Sequence, residues 1–310
     1  MVVGSQRLRR RRRNRRQKRG FRAGLLTRLK KHPHKPPLPS VFLANVRSIV
    51  PKMDDLELRI ATDNFRDCCV MILTETWLHP AIPDNAVQLA GRTIHRHDRN
   101  RDSGKSRGGR LCMYINNNWC SQSQATHSYC SPHIEALTVI CRPFYLPREI
   151  TVVIIMAVYI PPDANVSIAL NYLHGAISKQ QQAHPDGVHI VAGDFNRACL
   201  KAVLPKFIQY VKCATREGRI LNHVYCNIRH AYRAVPQPHI GLSDHFPLHL
   251  IPAYTPHIRK NKPTTRTINT WPDDALSQLQ DCFSTTEWGL FESLDLEEYR
   301  VCFILLHILC

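Results

Sequence analysis

Four short polar motifs, each set against an apolar run, constrain this chain more than any other feature. They are LANVRS at Leu43–Ser48, TETW at Thr74–Trp77, GDFN at Gly193–Asn196 and SDH at Ser243–His245. The runs beside them (VFLANV, CCVMILTET, GVHIVAGDF) are rich in Val, Ile and Leu and too short for buried helices. They predict strands buried on both faces, and such strands deliver polar side chains where they end.

The rest of the chain extends this pattern. Arg110–Ile115, Glu135–Phe144 and Ile150–Ile160 read as further strands, the last two joined across Leu146–Pro147–Arg148 as a hairpin. Pro51 opens a helix with Met53, Leu56 and Ile60 on one face, and Asn165 caps a second carrying Ile168, Leu170, Leu173 and Ile177. Val224–Asn227 and Phe246–Ala253 read as closing strands. Strands outnumber helices, and both sheet faces need covering. The expected fold is therefore α/β, a four-layer sandwich of two packed mixed sheets flanked by helices.

Charge divides the chain. Net charge is +18, yet Met1–Lys35 holds fifteen Lys or Arg and no Asp or Glu, leaving 27 basic against 24 acidic residues beyond it. Ten of the thirteen residues Arg7–Arg19 are basic, including Arg9, Arg10, Arg11, Arg12, Arg13, Arg15 and Arg16. A block of that kind repels itself, stays disordered, neutralises phosphates and suits nuclear import. Pro-rich His32–Ser40 comes next as a linker. The expected organisation is a tail over 1–40, a globular domain over 41–253, and a linker with a poorly ordered segment over 254–310, including a weak amphipathic helix near Trp271–Cys282.

The tail lacks the apolar core of a secretory signal, and Val301–Cys310 is too short to span a bilayer. No membrane association and no obligate protein partner are expected. Twelve scattered cysteines without a CxxC pair read as reduced, buried thiols in a reducing, nuclear setting.

Taken singly, each motif has an ordinary structural explanation. Glu75 is a strand-end cap, Asp194 and Asn196 form an Asx-turn, and Asn45 bonds a neighbouring backbone group. In order, and each at the end of an apolar run, they supply hard oxygen ligands for a divalent cation, a water-activating carboxylate and donors for a phosphate.

The series LANVRS, TETW, VYIPP (Val158–Pro162), GDFN and SDH resembles the endonuclease/exonuclease/phosphatase superfamily, and within it the apurinic-type endonuclease domain of non-LTR (LINE-like) retrotransposons. SGKSRGG (Ser103–Gly109), INNNWC (Ile115–Cys120) and CRPFYLPRE (Cys141–Glu149) are similar to elements of fish genomes. The likeness spans roughly Val41–Tyr254. It implies a Mg²⁺-dependent phosphodiesterase (Mn²⁺ being an alternative ion) that nicks DNA and leaves a 3′-hydroxyl. Glu75, Asn45 and Asp244 would hold the ion. Asp194 would deprotonate water, Asn196 and His245 would contact the phosphate, and Tyr159 would assist the leaving group. DNA is the implied partner, with element RNA on the basic tail. The chain carries no paired-Asp polymerase motif, so the reading frame is expected to stop short of a reverse transcriptase.

Two departures stand out. Where the family carries an Asp before His or Tyr, this chain has Leu221-Asn222-His223. An Asn accepts from imidazole but does not stabilise imidazolium, a loss worth roughly 10²–10⁴ in rate in triad enzymes. Arg110 stands where relatives often carry Gly. The competing expectation is thus a catalytically dead, element-derived fragment that only binds nucleic acid through its tail. A lipid or inositol phosphatase of the same superfamily is disfavoured by the tail.

Overall fold

A computed structural model describes residues 36–98, 108–256 and 274–291. Arg9–Arg16, most of Ser103–Gly109 and the closing Val301–Cys310 lie outside the described residues. The chain divides into two units, Met1–His257 and Ile258–Cys310.

The first unit contains two six-stranded sheets. One is built from β1 (Val41–Asn45), β2 (Val70–Thr74), β3 (Arg92–His97), β4 (Leu111–Asn116), β11 (Tyr232–Pro236) and β12 (Leu248–Pro252), in the order β11-β12-β1-β2-β4-β3. The other contains β5 (Gln122–Cys130), β6 (Glu135–Arg142), β7 (Val153–Tyr159), β8 (Val188–Asp194), β9 (Ile208–Gln209) and β10 (Asn222–Cys226), in the order β5-β6-β7-β8-β10-β9. Each sheet has one parallel pair at its centre, β1 with β2 and β7 with β8, and antiparallel strands on either side.

Those parallel pairs decide where the motifs meet. Asn45 lies level with Thr74, and Tyr159 level with Asp194. In each sheet two strands therefore end together, and the loops leaving them gather on one rim.

Alternation along the strands sets the layers. Val41, Leu43, Val70 and Ile72 pack with Ile155, Ala157, Ile190 and Ala192 in the core between the sheets. Phe42, Ala44, Met71 and Leu73 point the other way, with Leu56 of helix α1 (Met53–Ala61). Val158, Val191 and Tyr225 face Leu170, Leu173 and Ile177 of α3 (Val166–Ala183) on the far side. The outcome is the expected sandwich of two mixed sheets flanked by helices. A short α2 (Asp63–Arg66) comes directly after α1.

Local chemistry fixes the elements as the sequence predicts. The Asn165 side chain accepts from the N–H groups of Ser167 and Ile168 at the start of α3. Gly193 exists because the strands approach closely: a Cβ there would lie 1.8 Å from the Val158 oxygen. Nine of the ten described cysteines are free thiols, most of them buried, but Cys282 is disulfide-bonded, against the expectation of reduced thiols throughout. Among the described residues no helix is long and apolar enough to cross a membrane. In the second unit, α4 (Ala275–Thr285) leads into a turn in which Trp288 donates its indole N–H to Phe283 O.

Candidate active site

The loop after β1 runs beside the loop after β2. Val46 N–H donates to Thr74 O, Ser48 N–H to Glu75 O and Ile49 N–H to Thr76 O, at 2.8 to 3.0 Å. Lys52 is buried beneath, its ammonium donating to the Val46 oxygen and, at 3.2 Å, to the Arg47 oxygen. Burial lowers its pKa, with nearby Arg47 adding to the effect.

These turns force unusual backbone. Arg47, Ser48, Glu75, Trp77 and Asn196 all have positive φ without being glycine. Such conformations are uncommon and gather where a fold over-determines a site. Arg110, also at φ +74, occupies a conformation that Gly adopts freely, and its N–H donates to the Glu135 carboxylate.

Three motifs converge on one amide. Asn45 Nδ2 donates to Glu75 Oε1 at 2.8 Å and to Asp194 Oδ2 at 2.9 Å, joining two carboxylates that belong to different sheets. Its oxygen accepts from Arg47 N–H, so Asn45 turns nitrogen rather than oxygen towards the carboxylates. Ser243 Oγ donates to Asn45 O at 2.6 Å, which brings the SDH loop to the same place. Asn196 N–H donates to Asp194 Oδ1, and its side-chain amide donates to Ile160 O at 2.7 Å, leaving its second amide hydrogen for another acceptor.

Asp194 is 1% exposed. Burial, reinforced by the Glu75 charge, raises its pKa to about 7, against the pull of Asn45, the Asn196 N–H and Arg216. A carboxyl group that titrates near neutrality is suited to take a proton from water.

On the far side, Asp244 pairs with Arg216 Nη2 at 2.8 Å. Arg216 belongs to the turn between Thr215 and Arg219, and Thr215 O accepts from Phe246 N–H. Thr215 Oγ1 also accepts from the N–H of Asn222, so one residue ties β10 to the SDH loop. His245 is buried, and its Nδ1 has no hydrogen-bond partner. Burial lowers its pKa to about 4, with Arg216 and His239 adding to the effect and Asp244 opposing it.

Asn222 is 0% exposed, sits opposite Asp194 across β8 and β10, and leaves both side-chain polar atoms unpaired. It forms no hydrogen bond with His245. An orphaned buried polar atom costs roughly 1–3 kcal/mol, so the Asn222 amide and the His245 Nδ1 are together a weak point in the site. Tyr159, buried at the end of β7, stands between Glu135 and Asp194 in register.

Among the described residues no group of three or more His, Cys, Asp or Glu is arranged to hold a metal ion. The donor set still suits a hard cation. The Glu75 charge adds to burial in raising the Asp194 pKa, and few carboxylates with water is the environment Mg²⁺ tolerates.

The sequence alone did not single out Arg216, Thr215 or a role for Ser243. Ser243 was visible inside the SDH motif. Nothing local marks Thr215 and Arg216, because their contacts with Phe246 and Asp244 join segments far apart in the sequence.

This sandwich of two six-stranded mixed sheets, with strand ends from both sheets meeting on one rim, is an α/β fold shared with solved structures. Among solved structures the chain is similar to AP endonuclease LMAP from Leishmania major, with 13% identity, a TM-score of 0.51, and 70% of this chain and 88% of that one covered. It is also similar to an endonuclease/exonuclease/phosphatase family protein from Leptotrichia buccalis, with 12% identity, a TM-score of 0.50, and coverage of 70% and 100%. No family model and no curated protein matches the sequence. At these identities the likeness establishes the fold.

Proposed function

We propose that this chain is a metal-dependent phosphodiesterase that nicks DNA and leaves a 3′-hydroxyl, the endonuclease module of a non-LTR retrotransposon. One observation carries the reading: the Asn45 amide holds Glu75 of one sheet and Asp194 of the other within a single hydrogen-bond pair. Packing gains nothing from two carboxylates brought so close in a buried setting.

In this reading Glu75 and Asp244 are the residues that hold Mg²⁺ or Mn²⁺, with Asn45 positioning Glu75. The ion, when bound, neutralises phosphate charge. Asp194 takes a proton from the attacking water as the water oxygen bonds to phosphorus. Asn196 donates its second amide hydrogen to a phosphate oxygen as charge develops there. Tyr159 assists departure of the 3′-oxygen, and His245 contacts the phosphate. Arg9, Arg10, Arg11, Arg12, Arg13, Arg15 and Arg16 add sequence-independent affinity for DNA or element RNA, and a nuclear address.

A second reading is favoured by one feature, the unpaired amide of Asn222 together with the unpaired Nδ1 of His245. It makes the chain a nucleic-acid-binding remnant without turnover. Nicking of supercoiled plasmid by the full chain with Mg²⁺, beside EDTA and Asp194→Ala controls, separates the two. Nicks that vanish in both controls support the nuclease. Their absence from a folded protein refutes it as the chain stands.

A further inference from the structure

The two sheets have edge strands on the same flank: β11 closes one and β9 closes the other. Between them, away from the carboxylates, lies a cleft of about 710 Å³. Its wall carries Lys212, Arg229, His230 and Arg233 and no carboxylate. All four are exposed, and none makes a side-chain hydrogen bond or ion pair among the described residues. By contrast Arg59, Arg96 and Arg216 are all paired with acids.

Cations on edge strands also serve to block unwanted strand pairing. That purpose accounts for single residues on a flat edge. It does not account for a concave wall with an aromatic floor. Tyr210 and Tyr232 both line the cleft, edge to face at 5.7 Å, and the Tyr232 hydroxyl is buried without a partner.

The cleft adjoins the candidate active site along the chain. Tyr210, Lys212 and Cys213 line it, and shortly beyond them come Thr215, bonded to Phe246, and Arg216, paired with Asp244. Unpaired cations beside the half-buried ring of Tyr210, which lies over the buried Tyr232, pair charge with an aromatic surface as sequence-tolerant binding of an unpaired strand does.

We propose that the cleft between β9 and β11 binds a single-stranded nucleic-acid segment, with its phosphates on Lys212, Arg229 and Arg233. The choice of a nucleic acid rests on the nuclease reading above, but binding here needs no cleavage.

Cys213 is a half-buried thiol in the cleft wall, and Cys199 is an exposed thiol outside it. The full chain in EDTA is treated with N-ethylmaleimide, and alkylation of each cysteine is monitored by peptide mass spectrometry. The probes are single-stranded oligothymidylate, a blunt duplex and inorganic phosphate. With the oligonucleotide at about ten times its Kd, Cys213 is expected to react roughly tenfold more slowly while Cys199 is unchanged. Arg229→Glu with Arg233→Glu is expected to abolish that protection.

Unchanged Cys213 reactivity, with the oligonucleotide bound by anisotropy, overturns the proposal. So does equal protection by the duplex, by phosphate alone, or in the charge-reversed variant. Protection by a chain that nicks nothing leaves the cleft intact and removes only the nuclease reading. Nicking without protection does the reverse.

Discussion

Replacing Asn222 with Asp tests the weakest point of the site. In the present chain His245 Nδ1 is unpaired and burial holds the imidazole pKa at about 4. At pH 7 only about one molecule in a thousand then carries imidazolium. Thr215 ties the Asn222 backbone to the loop that carries His245, and a carboxylate within about 4–6 Å of the ring raises such a pKa by roughly 1–3 units, to between about 5 and 7. The imidazolium fraction rises to between about 1% and 50%, a gain of roughly ten- to five-hundred-fold in the form that offers a phosphate a charged donor.

Asn222→Asp should therefore speed plasmid nicking at least about tenfold, with Asp194→Ala in the same background inactive. The new carboxylate also faces Asp194 across β8 and β10, and like charges in opposed register destabilise by up to about 1 kcal/mol. A slightly lower melting temperature in EDTA is expected alongside the faster rate. A folded variant with unchanged nicking refutes the reasoning, as does an NMR titration in which His245 stays at about 4.

Asp194→Asn should abolish nicking yet stabilise the metal-free protein. The native pKa of about 7 lies above an unfolded value near 3.9, so the folded state holds the proton more tightly and stability falls as pH rises between those values. About three units set a ceiling of roughly 4 kcal/mol at pH 8, vanishing below pH 4. Urea titrations of both proteins at pH 4 and pH 8 in EDTA measure it, and an equal difference at both pH values contradicts it. Gly193→Ala should unfold the domain, because its Cβ meets the Val158 oxygen at 1.8 Å and β7 must part from β8. A loss above about 4 kcal/mol is expected from chemical denaturation, and a well-folded variant would show that the strands can separate cheaply.

Sequence reading found the strands with an apolar run on both faces, β1, β2, β4, β6, β7 and β8, and the closing strands β10 and β12. It missed β3, β5, β9 and β11. Gln122–Cys130 is mostly exposed and polar, and such a strand forms by pairing with a neighbour rather than by burying an apolar face. The helix cap at Asn165 was legible because capping is a contact between residues two and three positions apart.

Order along the chain also displayed Asn45, Glu75, Asp194, Asn196 and His245 as a set, and it marked Asn222 as a departure. It could not say that one amide would hold Glu75 and Asp194 together, since Asn45 and Asp194 are 149 residues apart. Nor could it pair Arg216 with Asp244, leave the Asn222 side chain and His245 Nδ1 without partners, or open a cleft between β9 and β11. Burial periodicity is written locally, residue by residue, so the order of amino acids is enough to say which segments become strands and which polar groups end them. Which strand ends meet depends on sheet order and register, and those are settled only when distant strands pair.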